Sequence, residues 1–101
     1  MTENYLEKVK SGWALQFVPE DFVTDEICKI AVARDAFDLS DVPENLITEE
    51  LCKIAVAQDG WALYYVPTEL RTKEICEIAV AQDGWALQFV PEELRTKVVQ
   101  N

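Results

Sequence analysis

The chain contains no histidine, and it carries only nine basic residues against nineteen acidic ones. Without histidine it lacks the side chain that most often serves as general acid, general base or zinc ligand. The resulting formal charge of −10 opposes phosphate backbones and anionic lipid surfaces, so direct binding to nucleic acid or to a membrane is not expected. No apolar run approaches the roughly 18 residues needed to cross a bilayer. The opening MTENYLEKVK has no hydrophobic signal-peptide core, and a cytoplasmic protein is expected. Three widely and equally spaced cysteines do not resemble a secreted disulfide framework, which fits a reducing compartment.

What is present is apolar material in a regular order. Half of the 101 residues are hydrophobic and three are tryptophan, too much to leave unburied, so a folded domain is expected. The string AVAQDGWAL occurs at residues 55–63 and again at 79–87. The same 24-residue spacing aligns Trp13, Phe37, Trp61 and Trp85 in one column and Leu15, Leu39, Leu63 and Leu87 in another. Pro19, Pro43, Pro67 and Pro91 form a third, and Thr24, Thr48, Thr72 and Thr96 a fourth. Such a period is the signature of stacked helical units, each unable to close a core alone.

Within a unit, Thr24-Asp25-Glu26 places a capping hydroxyl and two first-turn acids ahead of Ile27-Cys28-Lys29-Ile30-Ala31-Val32-Ala33, which predicts a first helix. Its apolar positions are broad enough to predict burial between neighbours on most sides. Ser11, Asp35, Asp59 and Asp83 are then read as N-caps of a second, shorter helix. The alternative is that Gly12, Gly60 and Gly84 end the first helix in a left-handed conformation. The residue before each proline must leave the α region, so the second helix stops there, and a short turn P-E-x-L leads to the next threonine. The expected fold is all-α: a short α-solenoid of 24-residue helix, short helix and turn repeats. Residues 1–101 form a single repeat domain, with an N-terminal capping helix at 1–11, the repeat running from residue 12, and an incomplete last unit at 85–101. Thr96 is read as the cap of a first helix that is only begun.

The units D-G-W-A-L-Q-F-V-P-E-E-L-R-T and K-E-I-C-E-I-A-V-A resemble the tandem helical repeat known as domain of unknown function 4116. The resemblance covers residues 12–97, strongest in the third and fourth units and weaker in the second, where Phe37-Asp38-Leu39-Ser40-Asp41 departs from W-A-L-Q-F. It implies a helical repeat module found in larger bacterial proteins and in small ones, and it brings no catalytic residues.

No catalytic motif, phosphate-binding loop or metal-ligand pattern occurs, so no enzyme, no metal site and no cofactor is expected. Cys28, Cys52 and Cys76 recur with the repeat and read as small core residues, because neighbouring helices lie too far apart for a disulfide. The acidic residues are uneven: residues 25–50 carry eight acids and two bases, which is −6 of the total. There Asp38 stands in a column of alanines, and Asp41 replaces the ring found at Phe17, Tyr65 and Phe89. A charge is costly in a core, so the column of Phe17, Asp41, Tyr65 and Phe89 is expected to be accessible, and restoring the consensus with Asp38→Ala and Asp41→Phe is expected to keep or raise stability.

Asp35, Asp38, Asp41 and Glu44, with the aromatic side chains Phe17, Tyr64 and Tyr65, are therefore the candidate partner-binding residues. The expected role is a small acidic interaction module for a protein partner with a basic surface. One alternative is a nucleic-acid mimic, like the small anti-CRISPR and anti-restriction proteins of phages, that inhibits a nucleic-acid-binding enzyme. Another is a structural repeat fragment. At the C-terminal end Phe89, Val90, Leu94, Val98 and Val99 lack a following layer, which predicts a homodimer through that end.

Overall fold

The computed structural model describes residues 4–98, and among them every regular element is helical. Five α-helices follow in order: α1 (Tyr5–Lys10), α2 (Asp25–Arg34), α3 (Glu49–Gln58), α4 (Lys73–Gln82) and α5 (Glu92–Val98). Each packs against the next, and the molecule is elongated, 56 × 22 × 16 Å. Between them run short 3₁₀ helices, the longest being Ala36–Asp41, Gly60–Tyr65 and Gly84–Phe89. The second helix of each unit is thus 3₁₀ rather than α.

Helices α2, α3 and α4 start where a threonine hydroxyl can cap them. Thr24, Thr48 and Thr72 accept from the backbone N–H groups of Ile27, Leu51 and Ile75 at 3.2, 3.1 and 3.3 Å. Each helix buries one stripe: Ile27, Cys28, Ala31 and Val32 in α2, and Leu51, Cys52, Ala55 and Val56 in α3. Ile30 and Ile54 are half-buried, and Ala33, Ala57 and Ala81 face solvent. The helices are therefore not enclosed on most sides as expected, since the smallest residue of each apolar run leaves an open flank. Lys29 and Lys53 bridge this flank, each pairing with an acid of its own helix and with Glu50 or Glu74 of the next.

In α2, α3 and α4 one aspartate both ends the α-helix and starts the 3₁₀ helix that follows. Asp35, Asp59 and Asp83 adopt extended backbone, and their carboxylates accept from the N–H groups of Phe37, Trp61 and Trp85 at 3.0, 3.0 and 2.9 Å. The valines before the prolines are extended and terminate these helices, as the sequence requires.

The first unit departs from this plan. Ser11 does not cap a second helix; it closes α1, and Gly12 follows with φ 128°. The N–H groups of Gly12 and Trp13 bond to the carbonyls of Val9 and Lys8, a Schellman closure in which glycine supplies the positive φ. Gly60 and Gly84 have no such backbone, so the left-handed alternative applies to Gly12 alone. The last unit departs as well. Pro91 leads directly into α5, Thr96 lies inside that helix rather than capping another, and Val98 is buried.

Candidate functional site

The densest cluster of aromatic side chains comes from the three longer 3₁₀ helices, Ala36–Asp41, Gly60–Tyr65 and Gly84–Phe89. Phe37, Trp61, Tyr64, Tyr65 and Phe89 together line an open groove of about 330 Å³, and no other residue type contributes to its lining. The repeat spacing creates it, because the first ring of one unit meets the second ring of the next. Phe37 meets Tyr65 at 6.0 Å between centroids, and Trp61 meets Phe89 at 5.3 Å. Tyr64 joins the two pairs, at 5.1 Å from Tyr65 and 5.4 Å from Phe89. Interplanar angles of 63° to 84° make these edge-to-face contacts, so the rings form angled walls rather than a flat stack.

Arg71 holds the backbone beneath this cluster. Its guanidinium donates to the carbonyls of Val66 at 2.8 Å, Phe89 at 2.8 Å and Tyr64 at 3.2 Å, joining two of the 3₁₀ helices that carry the rings. Arg95 repeats only the local part of this pattern, donating to the carbonyls of Val90 and Gln88 of one 3₁₀ helix. The sequence signal for these roles is the L-R-T triplet that precedes a cap or a helix end. A planar fork reaching several carbonyls explains why arginine stands there.

The residues expected to bind a partner do not all come together. Tyr64 and Tyr65 line the groove, and Tyr64 is 59% exposed. Phe17 lies apart from it, packed edge-on against Trp13 at 6.4 Å, because Asp41 occupies the place where a ring of the second unit would continue the series. Trp13 is met instead by Tyr5 and by the ammonium of Lys8, 4.8 Å from its ring centroid. Asp35, Asp41 and Glu44 are exposed.

Asp38 is not at the surface; it is 9% exposed and its carboxylate accepts from the buried N–H of Leu15 at 3.2 Å. Burial pushes its carboxyl above the ordinary range, with the charges of Asp35 and Asp41 adding to the effect. The Leu15 N–H partly offsets that shift, as does the charge of Arg34, which itself donates to the carbonyls of Val9 and Trp13.

At the C-terminal end, Val90 and Val98 are buried within the chain, because α5 folds back over part of the face that was expected to be open. Leu94 is half-buried, Phe89 belongs to the aromatic groove, and Val99 lies outside the described residues. What remains open at this end is a separate hollow of about 600 Å³ lined by Gly84, Trp85, Leu87, Gln88 and Arg95. Trp85 is 74% exposed, against 39% for Trp13 and Trp61 in the same column.

The three cysteines are fully buried, and burial pushes the thiols of Cys28 and Cys52 up to about 11 and raises that of Cys76. No group of three metal-ligating side chains occurs among the described residues. None of the described helices is long and apolar enough to cross a membrane.

Residues 48–95 match the domain of unknown function DUF4116. The resemblance expected over residues 12–97 is thus shown from Thr48 in the second unit, through the third, to Arg95 in the fourth, and residues 12–47 lie outside the match. The matched stretch contains Trp61, Tyr64, Tyr65 and Phe89, while Phe37 precedes it. No curated protein and no solved structure matches the chain.

Proposed function

We propose that the chain is a short α-solenoid of 24-residue units that serves as a protein–protein interaction module, with the aromatic groove as its contact surface. The observation carrying this reading is that five aromatic side chains from three successive units converge on one open groove. Tyrosine and tryptophan dominate binding energy where proteins meet, and a clustered apolar patch on a small domain marks a contact site. The exposed carboxylates of Asp35, Asp41 and Glu44, which flank the 3₁₀ helix that carries Phe37, together with the charge of −10, favour a basic partner and speed its approach. Asp38 has no part in this surface, since its carboxylate is occupied inside the fold.

The test compares capture of a basic binding protein by the wild type, by Tyr64→Ala/Tyr65→Ala and by Phe17→Ala. Loss of about tenfold or more in affinity is expected for the groove variant, with little change for Phe17→Ala. Equal binding by all three would refute the groove. Competition by added DNA would assign the partner to the nucleic-acid-binding enzymes that a nucleic-acid mimic targets.

A separate surface supports a homodimer. The hollow beside Trp85 lies outside the groove, and an added Cβ at Gly84 would meet nothing within 4 Å. Residues 84–98 carry two acids and two bases, so two copies can meet there without repulsion between net charges.

A further inference from the structure

We propose that the aromatic groove takes the guanidinium of an arginine presented by the partner; this rests on the interaction-module reading and names the side chain it recognises. A groove lined by five rings and by no aliphatic side chain offers a cation the negative faces of aromatic systems, with walls set at steep angles to one another. The fold already places a cation on this column of rings: Lys8 lies 4.8 Å from the centroid of Trp13, the counterpart of Trp61 in the first unit. Phe37, at one edge of the groove, belongs to the 3₁₀ helix that runs from the cap Asp35 to Asp41, and both carboxylates are exposed. Asp35 accepts from the Phe37 N–H and Asp41 lines a neighbouring hollow with Gln16 and Ser40, so it is the overall charge of −10 that favours a cation at the groove over an anion. The opposing charge is Arg71, whose guanidinium is engaged by the carbonyls of Val66, Phe89 and Tyr64.

Arginine suits this site better than lysine. Its planar ion stacks on ring faces and is more weakly hydrated than an ammonium, so less solvation is lost on entering an apolar groove. An aliphatic side chain could fill the same volume but would leave the ring faces without a cation.

The experiment titrates the wild-type chain with three capped peptides, Gly-Arg-Gly, Gly-citrulline-Gly and Gly-Lys-Gly, following the indole N–H signals of Trp61 and Trp85 by nuclear magnetic resonance. The arginine peptide is expected to shift the Trp61 signal and leave that of Trp85 in place. Citrulline, which keeps the shape and loses the charge, is expected to bind about three- to thirty-fold more weakly. Lysine should fall between them.

Equal binding of arginine and citrulline would overturn the proposal, and so would equal movement of the Trp61 and Trp85 signals. If a protein partner depends on Tyr64 and Tyr65 while citrulline matches arginine, the groove is a contact surface but not a cation site. That outcome rejects this inference and leaves the interaction-module reading standing.

Discussion

The carboxylate of Asp38 accepts a hydrogen bond from the backbone N–H of Leu15 at 3.2 Å, joining two units across 23 residues of sequence. In the later units the equivalent leucines lie inside longer 3₁₀ helices that begin at Ala36, Gly60 and Gly84. In the first unit the Schellman turn at Gly12 delays the 3₁₀ helix until Leu15, whose N–H then needs an acceptor from elsewhere. The one charged residue in the alanine column is therefore compensation for the one aspartate missing from the capping column, at Ser11.

Asp38→Ala is expected to destabilise the protein by about 1–3 kcal/mol, because it leaves a buried donor unpaired. This reverses the expectation that alanine at this position would be harmless. Asp38→Asn keeps an acceptor and removes the buried charge, so it should unfold at the wild-type denaturant midpoint or above it at neutral pH. The folded-state pKa is raised above 3.8, so this group makes the native state bind the extra proton. Its contribution to stability is therefore full below 3.8 and is lost as pH rises through the raised value. The difference between wild type and Asp38→Asn across that window isolates the effect; a difference that grows in the wild type's favour as pH rises would contradict it.

The stacking of the units is tested by two glycines at equivalent positions. A Cβ at Gly60 would press into the carbonyl of Ala79 and lie 3.1 Å from the Cβ of Asp83, whereas one at Gly84 meets nothing within 4 Å. Gly60→Ala is expected to cost about 1–3 kcal/mol through overpacking. Gly84→Ala should cost little. Equal denaturant midpoints for the two variants would contradict this packing.

The capping threonines, the proline stops and the core columns were legible in the sequence because each rests on local chemistry that recurs every 24 residues. Asp38 was misread because a charge is recognised as costly in a core without showing which distant N–H offsets it. The cap at Ser11 failed for a related reason: Ser-Gly closes one helix as readily as it opens another, and Gly12 decides the matter. Tyr64 and Tyr65 were identifiable as unusual rings. Their convergence with Phe37, Trp61 and Phe89 was not, since it depends on how the three longer 3₁₀ helices pack against one another. The closure of the C-terminal end by α5 depends in the same way on a helix that breaks the pattern of its predecessors.

Cys52 is fully buried, and burial holds its thiol near 11. Cys52→Ala is expected to lower stability by about 1 kcal/mol through a small cavity and to leave partner binding unchanged. All three thiols should react slowly with a thiol reagent at neutral pH in the native state and rapidly in denaturant. Stoichiometric zinc in the purified protein, or rapid native labelling, would contradict a purely structural role.

The homodimer proposal places Trp85 and Leu87 at the seam, and not Val90 or Val98, which the chain buries itself. Light scattering should report a dimer at micromolar concentration, and Trp85→Lys should shift it to monomer without lowering thermal stability. A wild-type monomer at high micromolar concentration would refute self-association here.

The central claim, that the groove formed by Phe37, Trp61, Tyr64, Tyr65 and Phe89 is where a protein partner sits, is tested most directly by photo-crosslinking in cells. Benzoylphenylalanine is placed at position 64, inside the groove, and in a second experiment at position 17, an exposed ring outside it. The account predicts a discrete covalent adduct with a basic protein from position 64, diminished by high salt before irradiation in lysate, and none from position 17. Adducts of the same protein in equal yield from both positions, or from position 17 alone, would contradict it.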